Sequence, residues 1–407
     1  MAAKRAKKTK KDEVSINDFT SDLIKALNTE HGAGEKVAFN LKFDDAPTKV
    51  HRWISTGCRQ LDYNVSNQIG GGLPEGRIIE IFGPPGIGKS HIAAQIAIST
   101  QALGGLVAYI DSENATSVEN LTLLGVNIGS GFIYANAVCT EKVFSLAESI
   151  ITKTRSLKKD VPVTIIWDSV AATSPKAEIL GDYDKDSIGL QARALSKGFR
   201  KITQVVGHNK VTFVCLNQTR TAIGQMFGDN QVPSGGKAIP FHSSVRIKLG
   251  AGKQIENNKK EVIGIHVNAK TIKNKVSAPF RKCDFRIIFG KGIEEHEELF
   301  DALRAAGPAI IDNDEIEVAG THAWKNFSVT EQTSGTVTLE KKFNKSTFND
   351  LLSDKTYGPY LDKLIEYHMI RKIDSDKAFD IDEDSLAEMQ SIADLVTDSG
   401  VIDPEGA

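Results

Sequence analysis

The chain has 407 residues, and its 50 lysines and arginines against 52 aspartates and glutamates leave a formal net charge of -2. That balance excludes a histone-like or arginine-rich polycation, and 40% hydrophobic with 25% charged residues is the composition of a packed soluble protein. At roughly 100–200 residues per domain, two or three domains sharing one sizeable core are expected. Apolar runs such as 161–167 and 211–216 are strand-sized, far below the ~20 residues that cross a bilayer, and the basic start lacks a following apolar stretch. Neither a membrane span nor a signal peptide is expected. Cys58, Cys139, Cys215 and Cys283 lie far apart without a CxxC pair, which disfavours disulfides and zinc and points to a reducing, cytoplasmic setting.

The charge is unevenly spread along the chain. Residues 1–14 form a basic tail led by Lys4, Arg5, Lys7, Lys8, Lys10 and Lys11, whereas 374–407 carry eleven acids against the single base Lys377. Both ends read as solvated arms. Within 15–49, Ile16, Phe19, Leu23, Ile24 and Leu27 recur at helical spacing behind a Ser15 cap, which predicts a short amphipathic helix followed by a linker. A helix this short must bury its apolar face, on its own domain or on a neighbouring subunit.

From 50 to 291 the pattern becomes strands alternating with helices. Apolar, β-rich runs at 77–82, 106–110, 132–134, 163–167 and 211–216 predict a mostly parallel sheet covered on both faces. Runs at 244–249 and 262–269 have no helix between them and predict an antiparallel extension. Residues 292–373 read as a small, helix-rich α/β lobe, and no internal repeat is present.

The run 77–82 leads into Gly83-Pro84-Pro85-Gly86-Ile87-Gly88-Lys89-Ser90, followed by the helical stretch from His91. This GxxxxGK[ST] string between a strand and a helix is a phosphate loop. Its glycines let backbone N–H groups wrap a phosphate at a helix N-terminus, Lys89 can reach the β- and γ-phosphates, and the Ser90 hydroxyl can ligate Mg²⁺ directly. Asp168, delivered by the apolar run 163–167, is the best acid to hold that ion through water, with helix capping as its plainer role. The run 106–110 ends in Asp111-Ser112-Glu113, and period-two alternation puts both acids on one face, so geometry alone leaves the general base open. Asn217-Gln218, after 211–216, could sense a γ-phosphate or merely end a strand.

The order of these motifs resembles the RecA family of DNA strand-exchange ATPases from about Ile54 to Ile293. The resemblance rests on Ile54-Ser55-Thr56-Gly57 with Leu61-Asp62, Gly71-Gly72-Leu73-Pro74, the phosphate loop, Ile110-Asp111-Ser112-Glu113, Trp167-Asp168-Ser169-Val170-Ala171-Ala172 and Leu216-Asn217-Gln218. Further strings are Ile223-Gly224-Gln225-Met226-Phe227-Gly228, Ser234-Gly235-Gly236-Lys237-Ala238, Lys273-Asn274-Lys275 and Ala278-Pro279-Phe280. The resemblance implies a RecA-like core with an N-terminal helical arm and a C-terminal lobe, binding ATP and Mg²⁺. It makes Glu113 the general base, Asp168 the magnesium acid, Gln218 the γ-phosphate sensor, and Lys273 and Lys275 cations that reach a neighbour's ATP.

For DNA, the resemblance puts one loop at 181–189, ahead of Arg193, Ser196 and Arg200, whose i, i+3, i+7 spacing aligns them on one helix face. It puts a second at 219–234, where Ile223 would wedge between bases and Arg220, Gly235, Gly236 and Lys237 would approach phosphates. Met226 and Phe227 in that loop need burial by something. The chain departs from the family at Asn120, in place of an adenine-stacking aromatic, at Ser117 in place of an aspartate, at Pro240 in place of a lysine, and in a longer segment 63–70. These are departures of a divergent member, for which a phage genome is one source. The implied activity is ATP-dependent pairing and exchange of single-stranded with double-stranded DNA in a homo-oligomeric helical filament with ATP between subunits. A hexameric helicase motor and an accessory DNA-binding filament without exchange activity are the rivals.

Overall fold

The computed structural model describes residues 16–370, apart from 33, 35, 115, 159, 182–188, 222–230, 306, 321 and 322. The two charged tails, Ser15, most of the first loop and the centre of the second, including Ile223, Met226 and Phe227, lie outside the described residues. The chain divides into two compact units at Val50/His51.

The first unit contains helix α1 (Ile16–His31), longer than its apolar spacing alone suggested. Asn28 ties the helix to the following segment: its carboxamide oxygen accepts from the backbone N–H of Val37 (2.7 Å) and Ala38 (2.9 Å). No residue of α1 is buried, and Ile16, Phe19 and Leu23 present an exposed apolar stripe.

In the second unit, β1 (Trp53–Ile54), α2 (Arg59–Ser66) and β2 (Leu73–Pro74) precede the large sheet, β1 pairing with β2. The alternating region supplies β3 (Ile78–Gly83), α3 (Lys89–Ala102), β4 (Leu106–Asp111), α4 (Val118–Leu123), β5 (Phe132–Asn136), α5 (Thr140–Leu157) and β6 (Val163–Asp168). Next come α6 (Lys176–Ile179), α7 (Leu190–His208), β7 (Val211–Thr221), β8 (Gln231–Pro233), α8 (Ala238–His242), β9 (Val245–Glu256), β10 (Val262–Asn274), β11 (Lys282–Ile288) and β12 (Gly292–Glu294). The sheet order is β12-β11-β10-β9-β3-β7-β6-β4-β5, with β8 on β7. Neighbours from β9 to β5 run parallel and those from β9 to β12 antiparallel, as the absence of helices between the later runs requires.

The inner parallel strands are mainly apolar because both faces are covered, whereas the edge strand β5 leaves Ile133 and Tyr134 exposed. One face packs Ile79, Ile81, Val107 and Leu216 against Ile92 and Ile96 of α3. The other packs Ile165, Trp167 and Phe213 against α5 and α7, with the Phe144, Trp167 and Phe199 rings in mutual contact at centroid separations of 5.1–6.4 Å. Fully burying each such large apolar side chain stabilises the fold by about 1.5–3 kcal/mol. That burial also resists sliding of one strand along the next.

A buried charged pair interrupts this core. Glu80 of β3 is fully buried and accepts from Arg246 Nε of β9 at 2.6 Å. The Arg246 guanidinium lies over the Phe82 ring, 4.9 Å from its centroid. Asn217 Nδ2 of β7 donates to the other Glu80 oxygen at 3.0 Å and to the Ser234 carbonyl at 2.8 Å.

Beyond β12 the chain forms α9 (His296–Ala305), β13 (Ala309–Ile311), β14 (Asp314–Ala319), β15 (Trp324–Glu331), β16 (Thr336–Asn344), α10 (Phe348–Ser353) and α11 (Gly358–Met369). The four strands make an antiparallel meander whose own core includes Phe300, Phe327, Phe343 and Phe348. This region carries more strand than its helix-rich reading. Arg281 joins it to the rest, donating to the carbonyls of Tyr63 (2.7 Å) and Met369 (2.6 Å). Among the described residues, no helix is long and apolar enough to cross a membrane.

Removing one member of a buried ion pair strands the other charge, at a cost of about 3–5 kcal/mol. Arg246→Met should therefore lower the unfolding free energy in urea by about that amount, and adding Glu80→Gln should restore part of it. A loss below about 1 kcal/mol would show that Glu80 is not held by Arg246.

Candidate active site

The parallel register brings the motif residues to one edge of the sheet. Gly83 lies opposite Gln218, and Asp111 lies opposite Asp168. The phosphate loop closes onto α3 through Gly86 (φ 75°) and Gly88 (φ 92°), whose left-handed backbone a side chain would strain. This leaves the first N–H groups of α3 unpaired within the helix and pointing out of the edge, the arrangement that binds phosphate.

Lys89 is buried, and its ammonium donates to the carbonyls of Gly83 (3.0 Å) and Pro84 (2.7 Å). Burial pushes its pKa below the ordinary lysine value, while the Asp168 and Glu113 charges work in the opposite direction. Ser90 Oγ donates to Asp168 Oδ2 at 3.1 Å. Burial raises the Asp168 carboxyl, opposed by the hydrogen bonds from Tyr109 and Ser90. A hydroxyl and a carboxylate side by side at a helix N-terminus are hard oxygen donors of the kind Mg²⁺ takes.

Asp111 and Glu113 do different things. Asp111 is buried, and its carboxylate accepts from the backbone N–H of Glu113 (2.8 Å), Asn114 (2.8 Å) and Thr116 (3.0 Å) and from the Tyr134 hydroxyl (3.1 Å). Burial acts to raise its pKa, but the hydrogen bonds of Thr116, Glu113 and Tyr134 outweigh it and hold the carboxyl below the usual range. It organises the loop. Glu113 is exposed at the edge, where Oε1 accepts from Gln218 Nε2 at 2.9 Å and from Ser169 Oγ. The strand ends at Asp111, so the period-two argument that equated the two acids stops there.

On α7, Leu195, Phe199, Ile202 and Val206 are buried, while Arg193 and Arg200 are exposed and Ser196 half-buried. Arg220 is exposed near the end of β7, and Gly235 and Gly236 take left-handed φ of 95° and 69° between β8 and α8. Lys237 precedes α8 and is exposed. Lys273, at the end of β10, donates to the carbonyls of Pro240 (2.5 Å) and Phe241 (3.1 Å). Lys275 follows, its backbone N–H on the Ser244 carbonyl at 2.9 Å.

Two contacts carry no motif signal: Tyr109 donates to Asp168 Oδ2 at 2.5 Å, and Ser169 to Glu113. Asn217, paired with Gln218 in the sequence as a candidate at this edge, is instead buried and links Glu80 to Ser234. For Tyr109 a positional signal existed: it sits two residues before Asp111 on one strand, hence on the same face.

Comparison with known proteins bears on the whole of this region. Residues 21–294 match the family model of the RecA N-terminal domain. Protein RecA of Ruminococcus albus is 38% identical over 300 residues, covering 72% of this chain and 73% of the relative. Protein RecA of Bacteroides thetaiotaomicron is 38% identical over 288 residues (69% and 83%), and that of Trichodesmium erythraeum 37% identical over 271 residues (67% and 71%).

The packing of Lys273 has a measurable consequence. Burial, then the charges of Lys275 and Arg246, bring its pKa down to about 8, with Glu80 partly opposing. The folded chain therefore releases this proton near pH 8 and the unfolded chain near 10.5. Between those values the unfolded state binds more protons, so this group makes stability rise with pH through the window. Competitive amine labelling should give Lys273 half-maximal reactivity at about pH 8; a midpoint at the ordinary lysine value would overturn its docking on α8.

Proposed function

This chain belongs to the RecA family, and on that premise we propose that it is an ATP-dependent homologous recombinase that polymerises on single-stranded DNA, pairs it with homologous duplex and exchanges strands. Members of the family are DNA-dependent ATPases, bind ATP with Mg²⁺ and form filaments on DNA. The observation that carries the finer reading is the position of Gln218. Its side chain contacts Glu113, and the two ends of the segment 219–234 expected as the second loop are strand rather than loop: 219–221 continue β7 and pair with β8, Thr219 with Pro233, at the loop's base. A nucleotide-dependent shift of Gln218 acts directly on that base.

In this reading the N–H groups of the phosphate loop and the Lys89 ammonium hold the β- and γ-phosphates of ATP. Ser90 would hold Mg²⁺ directly and Asp168 through water, and the ion would supply charge neutralisation at the phosphates. Glu113, free of the backbone bonds that occupy Asp111, orients the attacking water and accepts its proton. Gln218 and Ser169, both donating to Glu113 Oε1, fix the carboxylate for that task. Lys273 and Lys275 of an adjoining subunit offer positive charge to the same γ-phosphate. Arg193, Ser196, Arg200, Arg220 and Lys237 contact the DNA backbone, with close approach at Gly235 and Gly236 and a base wedge at Ile223. Because phosphate contacts dominate, binding should weaken steeply with salt.

Electron microscopy with single-stranded DNA and a non-hydrolysable ATP analogue, paired with a strand-exchange assay, tests the proposal. Open helical filaments and exchange are expected; closed rings, or filaments without exchange, would overturn it. Lys89→Ala should abolish DNA-stimulated ATP turnover. Glu113→Gln should retain ATP and DNA binding and lose about 100-fold or more in turnover, whereas Asp111→Asn should act by loosening the loop and lowering the thermal midpoint. Slow turnover in Asp111→Asn with unchanged stability would exchange the two roles.

A further inference from the structure

Tyr109 belongs to β4, whose other residues before Asp111 are aliphatic and mostly buried. It is 1% exposed, and its ring lies 6.2 Å from that of Phe132 in the cluster beneath α3. A phenylalanine would fill this space equally well. The hydroxyl is the unexplained part, since a buried hydroxyl is unfavourable unless it is bonded.

The register explains what it reaches. Tyr109 lies opposite Ile166 on β6, and Asp111 lies opposite Asp168, so Tyr109 and Asp168 face the same side two residues apart along the sheet. That offset is about 6.6 Å of strand rise, which a tyrosine side chain spans. Its hydroxyl donates to Asp168 Oδ2 at 2.5 Å, within the range of about 2.5–2.7 Å for a hydroxyl bonded to a carboxylate. Ser90 donates to the same oxygen at 3.1 Å. The carboxylate is thus held from two sides, by the strand beside it and by the helix above it, and both donors fall on Oδ2.

We propose that Tyr109 is a positioning residue for the magnesium site: its hydroxyl locks the Asp168 carboxylate so that Oδ1 is presented to the water shell of the ion. The inference rests on the reading of Asp168 as the magnesium carboxylate. Ser90 cannot do this alone, because its oxygen is itself assigned to the ion. Tyr109 is packed in the core and its bond to the carboxylate is made by the fold itself, so the carboxylate is set before the ion arrives. Partners of this kind orient metal-holding groups, and losing one typically costs 10–100-fold in metal affinity or activity.

The test is a cycle of the parent, Tyr109→Phe, Asp168→Asn and the double variant. Binding of a fluorescent ATP analogue is titrated with Mg²⁺, and the thermal midpoint is recorded without nucleotide. Tyr109→Phe should raise the Mg²⁺ concentration for half-saturation about 10-fold, with analogue binding in chelator and the thermal midpoint both close to the parent. Asp168→Asn should raise it as well, and on that background Tyr109→Phe should add less than about twofold, as expected for groups acting as a unit. If Asp168→Asn shifts the Mg²⁺ dependence and Tyr109→Phe does not, the proposal fails while the Asp168 reading stands. An undiminished tyrosine effect on the Asp168→Asn background would show that the hydroxyl acts elsewhere. No response to Asp168→Asn would overturn the Asp168 reading and, with it, this inference.

Discussion

The register of the parallel strands is the constraint on which the rest of the molecule depends. Side chains alternate along a strand, so a slip of one residue between β4 and β6 would turn either Asp111 or Asp168 to the wrong face. What prevents that slip is distant from the chemistry: α3 covers one face and α5 with α7 the other, so β4 and β6 must keep both sets of apolar side chains buried at once. The edge where Gly83, Asp111, Asp168 and Gln218 meet is therefore specified by the core beneath it.

The same logic makes β7 a two-sided element. Asn217 and Gln218 are adjacent and point to opposite faces. Gln218 turns towards Glu113, while Asn217 turns towards Glu80 and the Ser234 carbonyl; the Ser234 N–H in turn donates to the Gln218 carbonyl at 3.1 Å. One strand end thus holds a side chain at the candidate nucleotide edge and the return of the second loop. The buried Glu80–Arg246 pair carries a desolvation cost, and a well-packed apolar pair could be as stable. An apolar pair would leave the Asn217 amide without a carboxylate, so the polar network ties β7 to β3 and to Ser234 even where it adds little to stability.

Much of this was legible in the sequence, for reasons particular to each element. The phosphate loop and the parallel strands could be read because glycine spacing and doubly buried strands have distinctive compositions. β11 was missed although Lys282, Asp284 and Arg286 alternate with Cys283, Phe285 and Ile287, the period-two signal of a half-buried strand, because strands were read from continuous apolar runs. The four-stranded meander after residue 308 was hidden likewise, since β16 is mostly exposed and reads as polar. The choice between Asp111 and Glu113 was closed to pattern reasoning, because it depends on where the strand stops and the backbone turns back over the Asp111 carboxylate. Family resemblance supplied Glu113, and the geometry gives a physical reason for the difference: one acid is consumed by three backbone amides, the other meets only side chains.

A net charge of -2 is the least informative number about such a protein. Charges separated by more than about 8–10 Å are largely screened at physiological salt, so what a bound phosphate meets is local. Around the end of β10 that local field is strongly positive. Lys273 is held near pKa 8 by burial and by Lys275 and Arg246, and burial together with Arg200, Lys273 and Lys275 lowers the pKa of His242. Burial and neighbouring positive charge both disfavour the protonated forms of Lys273 and His242, and an incoming anion would offset the charge part of that cost. The cluster links Arg200 of the α7 face, assigned here to DNA, with Lys273 and Lys275, assigned here to a neighbour's nucleotide. On the roles proposed for them, a phosphate arriving at either position would lower the field felt by the other, a coupling by charge alone.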